Sequence, residues 1–180
     1  MHNYPRLISR TNAVVWKPQQ VANTIVERVR GKSVCDLFLG PGGLALGLCS
    51  SASRYQGCEI SSEMRRSFAS IRQVKSALWR VKTLPVDGFR FGRVAAYDIA
   101  VLDPPWGGYQ VFLGKRYILA RRNRRVVDLA LHILRSGKEV VVVLPFHTVL
   151  PPRLARWKSF ESDVIQKNGR DYCKVWVFGG

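Results

Sequence analysis

The chain has 180 residues, 47% of them hydrophobic and 11% aromatic, which fits one folded domain with its own core and excludes a disordered chain. Its 29 basic and 12 acidic residues give a formal net charge of +17, and this excess indicates a polyanionic partner, most simply RNA or DNA. No apolar run approaches the roughly 20 residues that span a bilayer, and no basic amphipathic helix with an exposed apolar face favours a membrane surface.

The first third of the chain predicts a helix, a strand and a glycine turn. Residues 1–17 are irregular, and 18–31 carry apolar residues at helical spacing behind a proline that a first turn tolerates. A first strand is expected at 33–38, followed by the turn Gly40-Pro41-Gly42-Gly43 and a short helix at 44–51. A glycine turn between a strand and a helix lets the backbone approach a ligand closely, so we expect a binding loop here.

Two acidic residues at predicted strand ends are candidate ligand contacts. Glu59, in the second strand (55–60), lies 19 residues after Gly40, near the spacing at which an acid meets a ribose in nucleotide-binding folds. The alternative is an ordinary acid at a strand end, but with only 12 acidic residues in the chain we favour the ribose role. A helix is expected at 61–76, and a weaker third strand at 81–86 runs into Asp87-Gly88, a pair that is also typical of a simple turn.

A fourth strand, 97–102, stops abruptly at Asp103-Pro104-Pro105-Trp106-Gly107-Gly108. Proline cannot donate a backbone hydrogen bond, so we expect the carbonyls of Asp103 and Pro104 to serve as acceptors at the end of the strand, where ligands bind in open α/β sheets. A carboxylate, two carbonyls and an indole suit a flat base with an exocyclic amine. The alternative is a Pro-Pro turn whose Trp106 packs in the core.

The densest basic cluster follows this motif. Asp128 is the first acid after it, so local pairing is scarce, and we predict phosphate binding rather than a merely solvated face. The cluster comprises Lys115, Arg116, Arg121, Arg122, Arg124 and Arg125.

The last third predicts the closing half of an α/β sheet. A helix is expected at 126–137, a buried strand at 139–145 and a short helix at 151–160. Strand runs at 163–166 and 172–178 flank an Asn-Gly pair, a strong hairpin signal. The fold class is therefore α/β, a Rossmann-like single domain whose seven-stranded, mostly parallel sheet has one antiparallel strand in a C-terminal hairpin.

The four cysteines predict buried, reduced thiols. Cys35, Cys49, Cys58 and Cys173 are scattered and form no C-x-x-C pair. Neither a metal site nor a secreted disulfide framework is expected.

Five segments resemble the trimethylguanosine synthases, RNA cap guanine-N2 methyltransferases within the class I S-adenosylmethionine (AdoMet) enzymes. The glycine motif at 36–43 resembles the first motif of class I methyltransferases, and 103–108 resembles the (Asp/Asn/Ser)-Pro-Pro-aromatic signature of enzymes that methylate base amines. Residues 4–10, 16–22 and 164–179 are similar to the family's segment before the core, its first helix and its terminal hairpin.

The resemblance implies a single methyltransferase domain over 1–180, with an N-terminal segment and helix in 1–32 and the AdoMet-binding, catalytic core in 33–180. It implies AdoMet contacts from Asp36, Phe38, Gly40, Gly42, Gly43, Glu59 and Asp87. Among these, Asp87 would accept from the adenine amine. It implies catalytic roles for Asp103, Pro104 and Trp106, with Trp106 stacking on the base.

The implied reaction is methyl transfer to the N2 amine of guanine, with a 7-methylguanosine cap on a small RNA as the favoured substrate. Two alternatives stay open: an N2-guanine or N6-adenine methyltransferase of internal rRNA or DNA sites, and a methyltransferase-like RNA-binding scaffold without turnover. The expected compartment is the nucleus, nucleolus or cytoplasm; the basic N-terminus, with Glu27 as its first acid, leaves a mitochondrial transit peptide as the alternative.

Overall fold

The structure is a computed structural model that describes residues 19–105, 124–165 and 171–179. Within these ranges seven strands form one sheet in the order β3-β2-β1-β4-β5-β7-β6. The strands are β1 (Ser33–Asp36), β2 (Arg54–Cys58), β3 (Val81–Leu84), β4 (Ile99–Leu102), β5 (Glu139–Pro145), β6 (Lys158–Ile165) and β7 (Asp171–Phe178).

The sheet is parallel except at its C-terminal end. Strands β1 to β5 pair in parallel, and β7 pairs antiparallel with both β5 and β6. This confirms the predicted α/β fold with a mixed seven-stranded sheet. The chain order reverses at β1, whose neighbours are β2 and β4, and such a switch point is where ligands bind in open α/β sheets.

The helices that connect the strands fall into two contacting groups. They are α1 (Gln19–Val29), α2 (Gly43–Leu48), α3 (Ser62–Val74), α4 (Gly88–Val94), α5 (Arg124–Arg135) and α6 (Pro152–Ala155), with a 3-10 turn at Ser76–Arg80. Helix α1 contacts α2, the 3-10 turn contacts α2 and α3, and α5 contacts α4 and α6. Right-handed crossovers between parallel strands place such groups on opposite faces of a sheet.

The centre of the sheet is the core of the molecule. All four residues of β4 are buried, as are six of the seven in β5, and helix α5 buries seven apolar residues along one side. Continuous apolar strands of this kind are expected where helices cover both faces of a parallel sheet. The core therefore fixes the carboxyl end of β4, where Asp103 follows.

Three sequence expectations about elements are corrected by the structure. Strand β1 ends at Asp36, so Leu37 and Phe38 belong to the loop that follows it. Residues 88–94, which had no predicted element, form α4. The helix expected at 151–160 is one short turn, α6, and β6 begins at Lys158 because the edge strand pairs with β7 from that residue onward.

The remaining observations concern the cysteines, membrane-spanning helices and the segments outside the described ranges. The four cysteines are free and buried. In the part of the chain that the structure describes, no helix is long and apolar enough to cross a membrane. The N-terminal segment, the Asn-Gly turn and residues 106–123 lie outside the described residues.

Candidate cofactor and substrate site

Backbone hydrogen bonds join the loop after β1 to both neighbouring strands. The Leu37 N–H donates to the Val101 carbonyl of β4, and the Leu39 N–H donates to the Cys58 carbonyl of β2, at 2.9 and 3.0 Å. Gly40 and Gly42 then adopt positive φ angles of 55° and 87°, which glycine adopts at little cost. Gly43 begins α2 directly afterwards. The predicted glycine loop thus forms a tight turn at the switch point of the sheet.

Asp36 holds this loop from beneath. Its carboxylate accepts from the Phe38 N–H at 3.2 Å and from the Tyr55 hydroxyl at 3.0 Å, and only 1% of the residue is exposed. Burial raises the pKa of Asp36 to about 7, the two hydrogen bonds oppose that shift, and the nearby charges of Asp103 and Glu59 add to it. Asp36 therefore shapes the loop, and no oxygen of it lies open at the surface.

Glu59 joins the glycine loop to the end of β2. One carboxylate oxygen accepts from the Gly40 N–H at 2.9 Å, and the other accepts from the Ser61 N–H at 2.7 Å. The side chain of Arg65 donates to the carbonyls of Glu59 and Ile60, which fixes the backbone that carries the carboxylate. Because each carboxylate oxygen has more than one lone pair, Glu59 can still accept from a ligand hydroxyl.

Asp87 caps helix α4 rather than forming an isolated turn. Its Oδ1 accepts from the Phe89 N–H at 2.9 Å, and its Oδ2 lies 3.6 Å from an Arg125 guanidinium nitrogen. The Arg125 guanidinium stacks 4.1 Å from the Phe89 ring centroid, and that ring meets Phe38 edge to face at 5.1 Å. The structure therefore connects two predicted cofactor residues, Phe38 and Asp87, through the ring of Phe89.

The end of β4 delivers the first part of the proline motif. Asp103 is half-buried, Pro104 is buried and Pro105 is exposed. The predicted stacking residue Trp106 lies outside the described residues, as do Lys115, Arg116, Arg121 and Arg122. The described members of the basic cluster, Arg124 and Arg125, begin α5 and are exposed.

Four carboxylates consequently share one edge of the sheet, and we call this group the acidic edge. Asp36, Glu59, Asp87 and Asp103 follow or end the adjacent parallel strands β1, β2, β3 and β4. Parallel strands end at the same side, so the four residues converge, and the interactions of Asp103 and Glu59 with Asp36 reflect that convergence. Glu59, Asp87 and Asp103, which are only partly buried, can accept hydrogen bonds from hydroxyls and amines and can attract a cationic ligand.

Sequence reasoning missed several residues that build this site. Tyr55 is read from the sequence as an ordinary strand residue, yet its hydroxyl bonds the buried carboxylate of Asp36. Gly88 is missed as a packing residue: a Cβ there would collide with the backbone carbonyl of Leu37. No local pattern shows either role, because each depends on a residue from a different segment of the chain.

In the described residues, no three His, Cys, Asp or Glu side chains lie close enough together to hold a metal ion. Three carboxylates of the acidic edge, those of Asp36, Glu59 and Asp87, accept hydrogen bonds from backbone N–H groups.

Comparisons with known proteins give a fold but no family. No protein-family model matches the chain, and no curated protein matches it. Among solved structures, a proposed RNA methyltransferase from Pyrococcus horikoshii superposes with a TM-score of 0.64 at 17% identity, covering 97% of this chain and 92% of that one. The chain has the fold of a methyltransferase structure.

Two further structures support that statement. An rRNA methylase from Streptococcus thermophilus has a TM-score of 0.59 at 10% identity, covering 93% of this chain and 99% of the other. A proposed methyltransferase solved in complex with S-adenosylhomocysteine has a TM-score of 0.65 at 14% identity, covering 88% of this chain and 48% of that longer one. None of these three is named as a cap-specific enzyme, so the resemblance to trimethylguanosine synthases is supported only at the level of the methyltransferase fold.

Proposed function

We propose that this protein is an AdoMet-dependent RNA methyltransferase that modifies the exocyclic N2 amine of guanine. The acidic edge around the glycine loop is the observation that carries the proposal. It combines a backbone turn at the switch point, a ribose-type acid in Glu59 and the Asp103-Pro104 acceptor pair, on the fold that solved methyltransferases share.

The bound cofactor supplies an electrophilic methyl group on a sulfonium, and the protein's residues supply position. Glu59 would accept from the ribose hydroxyls, Asp87 would accept from the adenine amine, and the backbone of the glycine loop would lie close to the cofactor. The Asp103 carboxylate and the Pro104 carbonyl accept from the guanine amine and aim its lone pair at the methyl carbon. Alignment and removal of water around the sulfonium provide the rate gain.

The transfer balances without a metal or a redox partner. The amine nitrogen forms a bond to the methyl carbon while the carbon–sulfur bond breaks. The electron pair of the broken bond stays on sulfur. AdoMet would leave as a neutral thioether, and the amine held by Asp103 and Pro104 would release one proton to solvent. No strong base is needed, because the proton is lost from an amine that has already gained a positive charge.

The substrate that we propose is the 7-methylguanosine cap of a small RNA. A methylated guanine carries a positive charge, which strengthens stacking on Trp106 by cation–π attraction. The basic cluster 115–125 would hold the cap phosphates or the RNA chain. The nucleus, nucleolus or cytoplasm as its compartment stays a prediction.

A second candidate is methylation of an internal RNA base. It is favoured by the names of two similar structures, an RNA methyltransferase and an rRNA methylase, neither of which is described as acting on caps. An internal site requires a flipped or single-stranded base. A free cap analogue distinguishes the two, because it competes only with a cap substrate.

The deciding experiment offers labelled AdoMet and a short RNA that carries either a 7-methylguanosine cap or a 5′ triphosphate. Labelling of the capped RNA alone supports the cap substrate. Labelling of both supports the internal base. Labelling of neither, together with an absence of AdoMet binding in calorimetry, contradicts the proposed enzyme and favours a scaffold.

A further inference from the structure

An exposed tryptophan lies at the end of the sheet opposite the acidic edge. Trp79 belongs to the 3-10 turn Ser76–Arg80, which precedes β3, whereas the acidic edge lies where the strands end. The exposed fraction of Trp79 is 61%. Among the described residues, Ile60 is the only other large apolar residue that is exposed. Helix α3 runs from the acidic edge to this turn, and its 13 residues correspond to ~20 Å at 1.5 Å per residue.

The turn that carries Trp79 is held firmly in place. Leu78, the preceding residue, is fully buried in the core, and the carbonyl of Ala77 accepts from the Cys49 thiol at 3.3 Å. The carbonyl of Trp79 itself accepts from Arg72 at 3.3 Å. The indole is therefore presented to solvent by a fixed turn and is not the end of a loose loop.

A cation already stacks on the indole. The Arg72 guanidinium lies 4.4 Å from the ring centroid, and its Nε is buried without a hydrogen-bond partner among the described residues. Arginine stacked on an aromatic ring is a common platform for unpaired bases, because the stack offers a flat apolar surface beside a positive charge. More than half of the tryptophan surface stays open for such a base.

The stretch of sequence that contains the turn carries only positive charge. Between Glu63 and Asp87 the sequence has no acidic residue and six basic ones, Arg65, Arg66, Arg72, Lys75, Arg80 and Lys82. In the described ranges none of the six forms an ion pair with a carboxylate; the ion pairs there involve other residues. Unpaired cations beside an exposed aromatic ring match a polyanion that has flat bases.

We propose that Arg72, Lys75, Trp79 and Arg80 form a second RNA-binding surface, which we call the Trp79 surface, and that it takes single-stranded RNA. Stacking on Trp79 requires an unpaired base, since bases within a duplex already stack on each other. The surface lies away from the proposed cofactor and guanine site. It would hold a part of the RNA distant from the base that is modified, and its binding does not depend on methyl transfer.

The test measures binding of a fluorescently labelled 20-nucleotide oligo(U) by anisotropy at several salt concentrations, without AdoMet. Trp79→Ala is expected to weaken binding about 5- to 150-fold, the span that corresponds to loss of ~1–3 kcal/mol of stacking per base. Trp79→Phe keeps a ring and should keep most of the affinity. The same substitutions should change binding of a 20-base-pair RNA duplex much less.

A charge variant gives a second test of the surface in case the Trp79 variants do not fold. Arg80→Gln removes a cation whose loss leaves the indole stack intact, and it should lower the slope of log affinity against log salt by about one. Arg156→Gln is the matched control, because Arg156 is also exposed but lies after α6, away from the turn. Equal slopes for the Arg80 and Arg156 variants would overturn the proposal.

Two further readouts separate this surface from the proposed enzyme and from other partners. AdoMet binding, measured by calorimetry, should be the same in the wild type and the Trp79 variants; a protein that binds no AdoMet contradicts the enzyme but leaves the RNA result valid. Polyglutamate and phosphatidylserine vesicles serve as competing anions. If Trp79→Ala weakens capture of either one and leaves oligo(U) binding unchanged, the surface binds another partner and the proposal is wrong.

Discussion

Replacing Glu59 by glutamine should loosen the glycine loop in the protein without any ligand. The two carboxylate oxygens accept separately from the Gly40 and Ser61 N–H groups, at 2.9 and 2.7 Å. A glutamine amide has one oxygen, so one of these N–H groups would face an NH₂ group and lose its acceptor. A hydrogen bond to a charged, partly buried group is worth ~1.5–3 kcal/mol, so we expect the free energy of unfolding to fall by about 2 kcal/mol.

Urea denaturation of the ligand-free protein measures this loss. With a slope of ~1–3 kcal/mol/M for small proteins, the midpoint should fall by roughly 1 M. Glu63→Gln is the matched control, because Glu63 is an exposed acid in the first turn of α3 and makes the same chemical change. If the two variants unfold at the same urea concentration, the bonds from Glu59 do not hold the loop and the reasoning fails.

The same pair of variants separates a structural role of Glu59 from a binding role. Isothermal titration with AdoMet should show weaker binding for Glu59→Gln and unchanged binding for Glu63→Gln. A lower stability of Glu59→Gln with wild-type AdoMet affinity would confine Glu59 to holding the loop. That outcome would contradict the contact proposed between Glu59 and the ribose.

Four other changes test separate parts of the site. Trp106→Ala should abolish turnover while AdoMet binding stays nearly intact; a loss of both in parallel assays would contradict a stacking role. Arg121→Ala with Arg122→Ala should flatten the salt dependence of RNA affinity, and an unchanged slope would remove these residues from the RNA site. Asp36 has a folded-state pKa of about 7 against an ordinary value of 3.8, so the folded protein retains a proton that the unfolded chain has lost between these pH values. Its contribution to stability is thus present at low pH and lost as the pH rises through about 7, and Asp36→Asn, compared with the wild type by urea denaturation at pH 5 and pH 8, should gain in relative stability at pH 8. Gly88→Ala would place a Cβ against the backbone of the β1 loop, and we expect it to destabilise the protein by ~1–3 kcal/mol, whereas the exposed Gly137, with open space around it, should show only the smaller cost of its positive φ.

The central strands and the glycine turn can be predicted from the sequence, because the patterns that indicate them are local. Val140 to Leu144 form an unbroken apolar run, and the positive φ angles of Gly40 and Gly42 match a glycine turn read from the sequence alone. The apolar side chains of this strand and the positive φ angles of the two glycines are properties of the residues themselves. Patterns of this kind predict an element wherever tertiary packing agrees with them.

Helix α4 is not predicted from the sequence, because the reason for its composition is not local. Glycine disfavours helices, and both Gly88 and Gly92 lie in this one. The structure explains them, because a Cβ at either position would collide with Leu37, so the helix can approach the β1 loop only where side chains are absent. The reason for the glycines is in another segment, which no window over residues 88–94 contains.

In the C-terminal hairpin, strand pairing again overrides the local sequence pattern. Residues 151–160 hold enough apolar and basic residues to suggest a helix, but the chain leaves α6 after one turn. From Lys158 onward it pairs with β7, with a register shift between Lys158 and Phe160. The pairing partner is supplied by a strand that comes later in the chain, so the local pattern was outweighed.

The acidic edge also determines how a polyanion can approach the molecule. The partly buried carboxylates Glu59, Asp87 and Asp103 lie together on a chain whose net charge is +17, so negative charge is concentrated locally within a basic molecule. Phosphates are repelled from that place and attracted to its basic surroundings, whereas an uncharged or cationic base meets no such barrier. For the RNA substrate that we propose, the edge would keep the RNA backbone outside and admit a single base, and electrostatics as well as shape would set the depth of insertion.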